Sequence, residues 1–119
     1  MDGKLSVWWA GASQERESKL KPIYLPVLKG LVGHRLFIIR HDAQSKFDNV
    51  YTLTDLKRLK AGQGRTWGDA MVLKASDIPM ETATKTANLF YMLEGGRFDY
   101  FPRSAHEPWA EVQSYAALD

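Results

Sequence analysis

Apolar residues fall in short bursts along the chain, separated by polar stretches and by glycine and proline. Residues 5–10 form a continuous apolar run containing Val7, Trp8 and Trp9, the pattern of a strand buried on both faces. Gly11 ends it, and the charged stretch 13–21 predicts a loop or a single helical turn around Glu15 and Arg16. Residues 23–28 contain Pro26, which cannot donate to a ladder, so this segment reads as an edge or crossing strand. Residues 34–40, with Leu36, Phe37, Ile38 and Ile39 at their centre, predict a clearer strand.

Beyond Arg40 the period lengthens. Asp42 is placed to cap a short helix ending before Val50, and Thr52 to cap a second one carrying Leu53, Leu56 and Leu59. Residues 59–61 predict a short strand running into a Gly62-Gln63-Gly64 turn, after which Thr66 caps a helix reaching Ala75, with Asp69 as its partner. Ile78-Pro79 breaks the chain, residues 80–83 predict a strand, and residues 85–94 a helix with Leu89, Phe90, Met92 and Leu93 inward. Gly95-Gly96 stops that helix in the left-handed manner. Residues 98–101 predict an aromatic strand ended by Pro102, and Ser104 with Glu107 a capping box for a last helix carrying Trp109, Val112 and Tyr115. The alternation from residue 34 onward predicts an α/β fold, a mostly parallel sheet with helices on both faces. Phe37, Ile38, Leu56, Leu73, Leu89, Leu93 and Phe101 are its expected core.

The composition narrows the functional classes. A chain of 119 residues that is 45% apolar has room for one domain with a real core. Its net charge of +2 is too small to make nucleic acid or an anionic membrane the main partner. Without cysteine it has no disulfide, thiolate metal site or cysteine nucleophile. No run approaches the roughly 20 apolar residues of a membrane span, and the first six residues show no export signal. Membrane insertion is therefore not expected.

Ligands in sheets of the expected kind sit at the carboxyl ends of strands, facing helix N-termini. Two places qualify. At the first, Gln63, Gly64, Arg65 and Thr66 would present backbone N–H groups and a hydroxyl to an anion. At the second, Arg103 and Ser104 would add a guanidinium and a second hydroxyl at the mouth of the last helix.

Several segments, taken in order, resemble the second lobe of type II periplasmic solute-binding proteins, the extracellular family 3 type that serves amino-acid uptake. They are Val7 to Arg16, then Thr52-Leu53-Thr54-Asp55-Leu56-Lys57, then Gln63-Gly64-Arg65-Thr66-Trp67, and finally Met92 through Gly95-Gly96-Arg97-Phe98-Asp99-Tyr100. The resemblance implies a periplasmic-binding-protein-like lobe over residues 34–119, with residues 1–33 as lobe-crossing strand and hinge. It also implies a periplasmic location, with the cytoplasm left open by the missing export signal, and a membrane transporter as partner. Arg16 falls where the family places an arginine for a ligand carboxylate. Where amino-acid binders usually offer an aspartate to the ligand ammonium, this chain has Pro102-Arg103-Ser104, which shifts the expected ligand toward a small anion or carboxylate. The family's first lobe is absent, so the chain is expected to be a fragment, a stand-alone derivative, or one whose exposed edges are covered by self-association, and a homo-oligomer is the expected state.

An enzyme is not expected. His34, His41 and His106 lack metal-ligand spacing, the serines lack a nucleophile-elbow context, and the Gly62 to Gly64 turn has neither the lysine of a P-loop nor a third glycine. No cofactor is implied. The competing expectation is a protein-interaction module that has lost its solute and pairs through the aromatic run 7–10.

Overall fold

A computed structural model describes residues 3–116. Its elements in chain order are α1 (Gln14–Lys19), β1 (Arg35–Ile38), α2 (Leu53–Leu56), β2 (Ala61–Gly64), α3 (Gly68–Ala75), β3 (Met80–Ala83), α4 (Thr86–Glu94), β4 (Phe101–Ser104) and α5 (Pro108–Tyr115). Short 3-10 turns at Leu31–Gly33 and His41–Lys46 flank β1.

Local chemistry explains several of these bounds. Thr52 and Asp55 cap α2 reciprocally: the Asp55 N–H donates to Thr52 Oγ1 at 3.2 Å and the Thr52 N–H donates to Asp55 Oδ2 at 3.0 Å. Helix α4 ends in a Schellman motif, with the Arg97 N–H on the Met92 carbonyl and the Gly96 N–H on the Leu93 carbonyl. Gly96 takes φ +68° there, a conformation glycine adopts without the penalty a β-carbon brings.

The expectation of a mostly parallel sheet with helices on both faces is not met. The strands form two small sheets, β1 antiparallel to β4 and β2 parallel to β3. Among the described residues one backbone bridge, Ala61 to Tyr100, links the pairs. Proline supplies the reason. Tyr100 turns its backbone toward β2, accepting from the Gly62 N–H at 2.8 Å; by strand alternation Pro102 turns the same way and has no N–H to give. The ladder between β2 and β4 therefore stops after one step. The expected strand over residues 98–101 is also displaced: Pro102 does not end it, because β4 begins at Phe101 and runs through the proline, with Pro102 opposite Phe37.

The glycine turn is also corrected. Gly62, Gln63 and Gly64 are the strand β2 itself, fully buried. A β-carbon at Gly62 would collide with the Phe98 ring, and one at Gly64 with the Trp67 indole, so these glycines admit aromatic side chains against the backbone. Thr66 does not cap α3; Trp67 holds the N-cap position without a side-chain bond. Likewise Asp42 does not cap the turn after β1, because its carboxylate pairs with Arg40 Nε at 3.2 Å.

Two apolar clusters form the core. Ala83, Leu89, Leu93, Phe98 and Phe101 make one; Ala61, Ile78 and Tyr100 make the other, joined by Phe47, Leu56, Leu59 and Leu73. Adjacent residues Tyr100 and Phe101 enter different clusters, as alternation along a strand requires. Of the expected core, Leu89, Leu93 and Phe101 are buried, Ile38, Leu56 and Leu73 are half-buried, and Phe37 is 41% exposed.

Neither expected strand before residue 30 forms. Val7, Trp8 and Trp9 are exposed, as are Ile23, Tyr24 and Leu25. Apolar content alone does not make a strand, which needs a neighbour to accept its N–H groups, and no described residue pairs with these segments.

Candidate functional site

Strand β4 and the start of α3 bound an open groove of about 300 Å³, lined by Val32, Arg35, Trp67, Gly68, Asp69, Arg103, Ser104 and Glu107. Arg103 is its most buried charge, 8% exposed. Its Nε donates to Glu111 Oε2 at 2.8 Å and its Nη2 to Glu111 Oε1 at 2.5 Å, a bidentate pair. Nη2 also lies 3.1 Å from Glu107 Oε1. The guanidinium carbon stands 4.7 Å from the Trp67 ring centroid and 5.1 Å from that of Phe101, so two aromatic faces support the cation.

Arg35 reaches the same groove because the antiparallel register sets it opposite Ser104. Its Nη1 lies 2.9 Å from Asp69 Oδ2 and its Nη2 donates to Asp69 Oδ1 at 3.0 Å. Nη1 is also 3.3 Å from Ser104 Oγ, to which it donates. The Ser104 N–H donates to Glu107 Oε2 at 2.8 Å. This is half of the expected capping box. The other half is missing: Glu107 itself holds the N-cap position of α5 with no side-chain cap.

The groove thus gathers two guanidinium groups, two carboxylates, a strand N–H and an indole, with a third carboxylate, Glu111, outside the lining and paired to Arg103. Such a set has the chemistry to offer a polar solute charge-assisted hydrogen bonds and a flat apolar contact. A second depression of about 270 Å³, between the end of β1 and helices α4 and α5, has mostly aliphatic and aromatic walls, including Ile38, Phe90, Tyr91 and Val112.

Among the residues singled out from sequence, Arg103 and Ser104 line the groove. Gln63 is wholly buried; its Oε1 accepts from the Gly64 N–H at 3.1 Å and its Nε2 is 3.5 Å from Asp69 Oδ2, which places it behind the groove wall. Gly64 lies beneath Trp67. Arg65 and Thr66 are exposed and outside the lining. Arg16 is not brought there either: on α1, its Nη1 donates to the Gly11 carbonyl at 2.8 Å and its guanidinium stands 5.8 Å from the Trp8 ring.

Compared with known proteins, the chain matches no family model, no curated protein and no solved structure.

Sequence reasoning did not assign Arg35, Asp69, Glu107 or Glu111 to the site. One signal was present. Glu107 and Glu111 stand four residues apart, which sets both carboxylates on one side of α5, where Arg103 at the end of β4 meets them. Arg35 carried no such mark, since its place depends on an antiparallel register between strands 63 residues apart.

Proposed function

We propose that the groove beside β4 holds a small solute bearing a carboxylate or another anionic group, and that the chain acts by binding this solute without transforming it. The carrying observation is Arg103: a buried arginine whose side chain is 10% exposed, backed by Trp67 and Phe101, yet lining an open groove beside a second arginine. Burying a guanidinium is costly unless it is paired and hydrogen-bonded, and a recognition role gives it a reason to sit there.

Native mass spectrometry of freshly purified protein tests for a retained solute, and calorimetry compares carboxylates with their neutral amides. Carboxylates should bind more tightly. Arg35→Gln, at a side chain 31% exposed, should weaken them by about tenfold, or 1.4 kcal/mol, while the exposed Arg97→Ala should not. Equal affinity for the neutral amides removes the reading.

A second reading, self-association, has its own observation. Ten large apolar residues between Leu5 and Val32 are at least 40% exposed, among them Trp9, Ile23 and Tyr24. With an aromatic side chain worth about 150–250 Å², they present on the order of 1,000 Å², against about 800 Å² per partner in an interface of standard size. A second copy would cover this surface. Sedimentation at micromolar concentration should then exceed the 13.5 kDa monomer; a monomer alone removes the second reading and leaves the first untouched.

A further inference from the structure

We propose that Glu107 is a built-in occupant of the anion seat, and that a solute carboxylate binds by displacing it. This rests on the solute-binding reading and says how that site is kept when no solute is present.

The charges in the groove do not match one for one. Asp69 engages Arg35 through two oxygens, and Glu111 engages Arg103 through two oxygens. Each arginine therefore has its own bidentate counter-ion. Glu107 is a third carboxylate facing two cations. Its two oxygens take what the other carboxylates leave: Oε2 accepts from the Ser104 N–H at 2.8 Å, and Oε1 approaches Arg103 Nη2 at 3.1 Å, longer than the 2.5 Å of Glu111 on the same nitrogen. An N–H and a guanidinium edge on the two oxygens of one carboxylate is the pattern by which a free carboxylate would be held. Arg103 Nη1 carries no hydrogen bond among the described residues and remains for such a ligand.

Position fits the role as well. Glu107 lines the groove and its side chain is 29% exposed, against 10% for Arg103 and 20% for Glu111. It lies between β4 and the first turn of α5, where rotation about its own side-chain bonds carries the carboxylate into solvent with no strand to break. Glu111 stays on Arg103, so the buried cation is never left bare while the exchange occurs. The exchange is neutral in charge at the seat: one carboxylate leaves as another arrives. Competition from a tethered carboxylate also keeps weak anions out, so only a solute with further contacts in the groove prevails.

The test follows the Ser104 amide by proton–nitrogen NMR during titration with acetate and with acetamide. Glu107→Ala empties the seat, Glu107→Gln keeps the shape without the charge, and Glu94→Ala removes one exposed carboxylate away from the groove. Acetate should bind wild type weakly, bind the alanine variant about tenfold more tightly, and fall between for glutamine; ten-fold corresponds to 1.4 kcal/mol. Glu94→Ala should match wild type, and acetamide should be indifferent to all three. If the alanine variant loses its fold, the glutamine variant decides on the same criterion. Equal acetate affinity in wild type and the Glu107 variants overturns the displacement while leaving solute binding intact. Equal tightening by Glu94→Ala, or of acetamide, overturns it too, and no shift at Ser104 in any protein overturns both.

Discussion

The indole of Trp67 closes over Gly64 and occupies the space that a β-carbon at that position would fill. The same ring stacks near Phe101, with centroids 6.2 Å apart, and supports the Arg103 guanidinium. Gly64→Ala must push the indole off this support. It should lower stability by about 1–3 kcal/mol, the usual cost of overpacking. In a Trp67→Ala background the penalty should shrink, because the clash is gone, and urea unfolding of the four proteins of the cycle measures the difference.

Asp99 predicts an acid dependence. Partial burial alone would raise its carboxyl, but the Lys46 ammonium at 2.7 Å, the Lys60 N–H at 2.9 Å and the charges of both lysines outweigh it and hold it below its ordinary 3.8. A carboxyl depressed by folding adds stability that is complete above its unfolded value and is lost as pH falls through the folded one. Between pH 5 and 2, wild type should therefore lose stability more steeply than Asp99→Asn, which lacks that proton-linked term. Parallel urea midpoints across this range would exclude the contribution.

Tyr100 is wholly buried, and its hydroxyl has no hydrogen-bond partner among the described residues. Burial, with the nearby Asp99 charge, pushes the phenol up to about 12. Removing an unsatisfied buried hydroxyl relieves a desolvation penalty on the order of 1–3 kcal/mol. Tyr100→Phe should thus melt at or above the wild-type temperature, with the packing against Phe37 and Phe47 retained. A marked drop would mean that the hydroxyl has an acceptor in the folded protein.

Arg103 divides stability from exposure. Substitution by methionine leaves the Glu107 and Glu111 carboxylates without their cation, and breaking a buried pair from one side costs about 3–5 kcal/mol. Arg97→Ala, at an exposed position, should stay within about 0.5 kcal/mol of wild type. Chemical denaturation compares the two directly.

What could be read from the residues was local. The Thr52 cap, the Gly96 stop, and the existence of β1, β3 and α4 follow from spacing and propensity, which act within a few residues. The sheet arrangement did not follow, because β1 pairs with a strand far along the chain, and one missing N–H at Pro102 cuts the ladder that alternation would otherwise extend. At the site, Arg103 and Ser104 were legible as polar groups at a strand end. Thr66 and Arg65 were not correctly placed, since Gly62 and Gly64 signal aromatic contact in this chain and a turn in many others. The run at Trp8 and Trp9 misled because hydrophobicity marks a surface to be covered and does not name what covers it.

The missing proline N–H also gives the molecule a seam. Across it, β1 and β4 form one plank and β2, β3 and α3 another, fastened among the described residues by the Ala61–Tyr100 bridge and the Asp99 N–H on the Lys60 carbonyl, and otherwise by side chains. The groove lies over that seam: Arg35, Arg103 and Ser104 stand on one plank, Trp67 and Asp69 on the other. The Arg35–Asp69 pair is a stitch between them. A solute gripping both sides would add further stitches, so binding should register as stiffness: slower amide exchange at Gly62 and Tyr100, and a greater force needed to slide the planks apart.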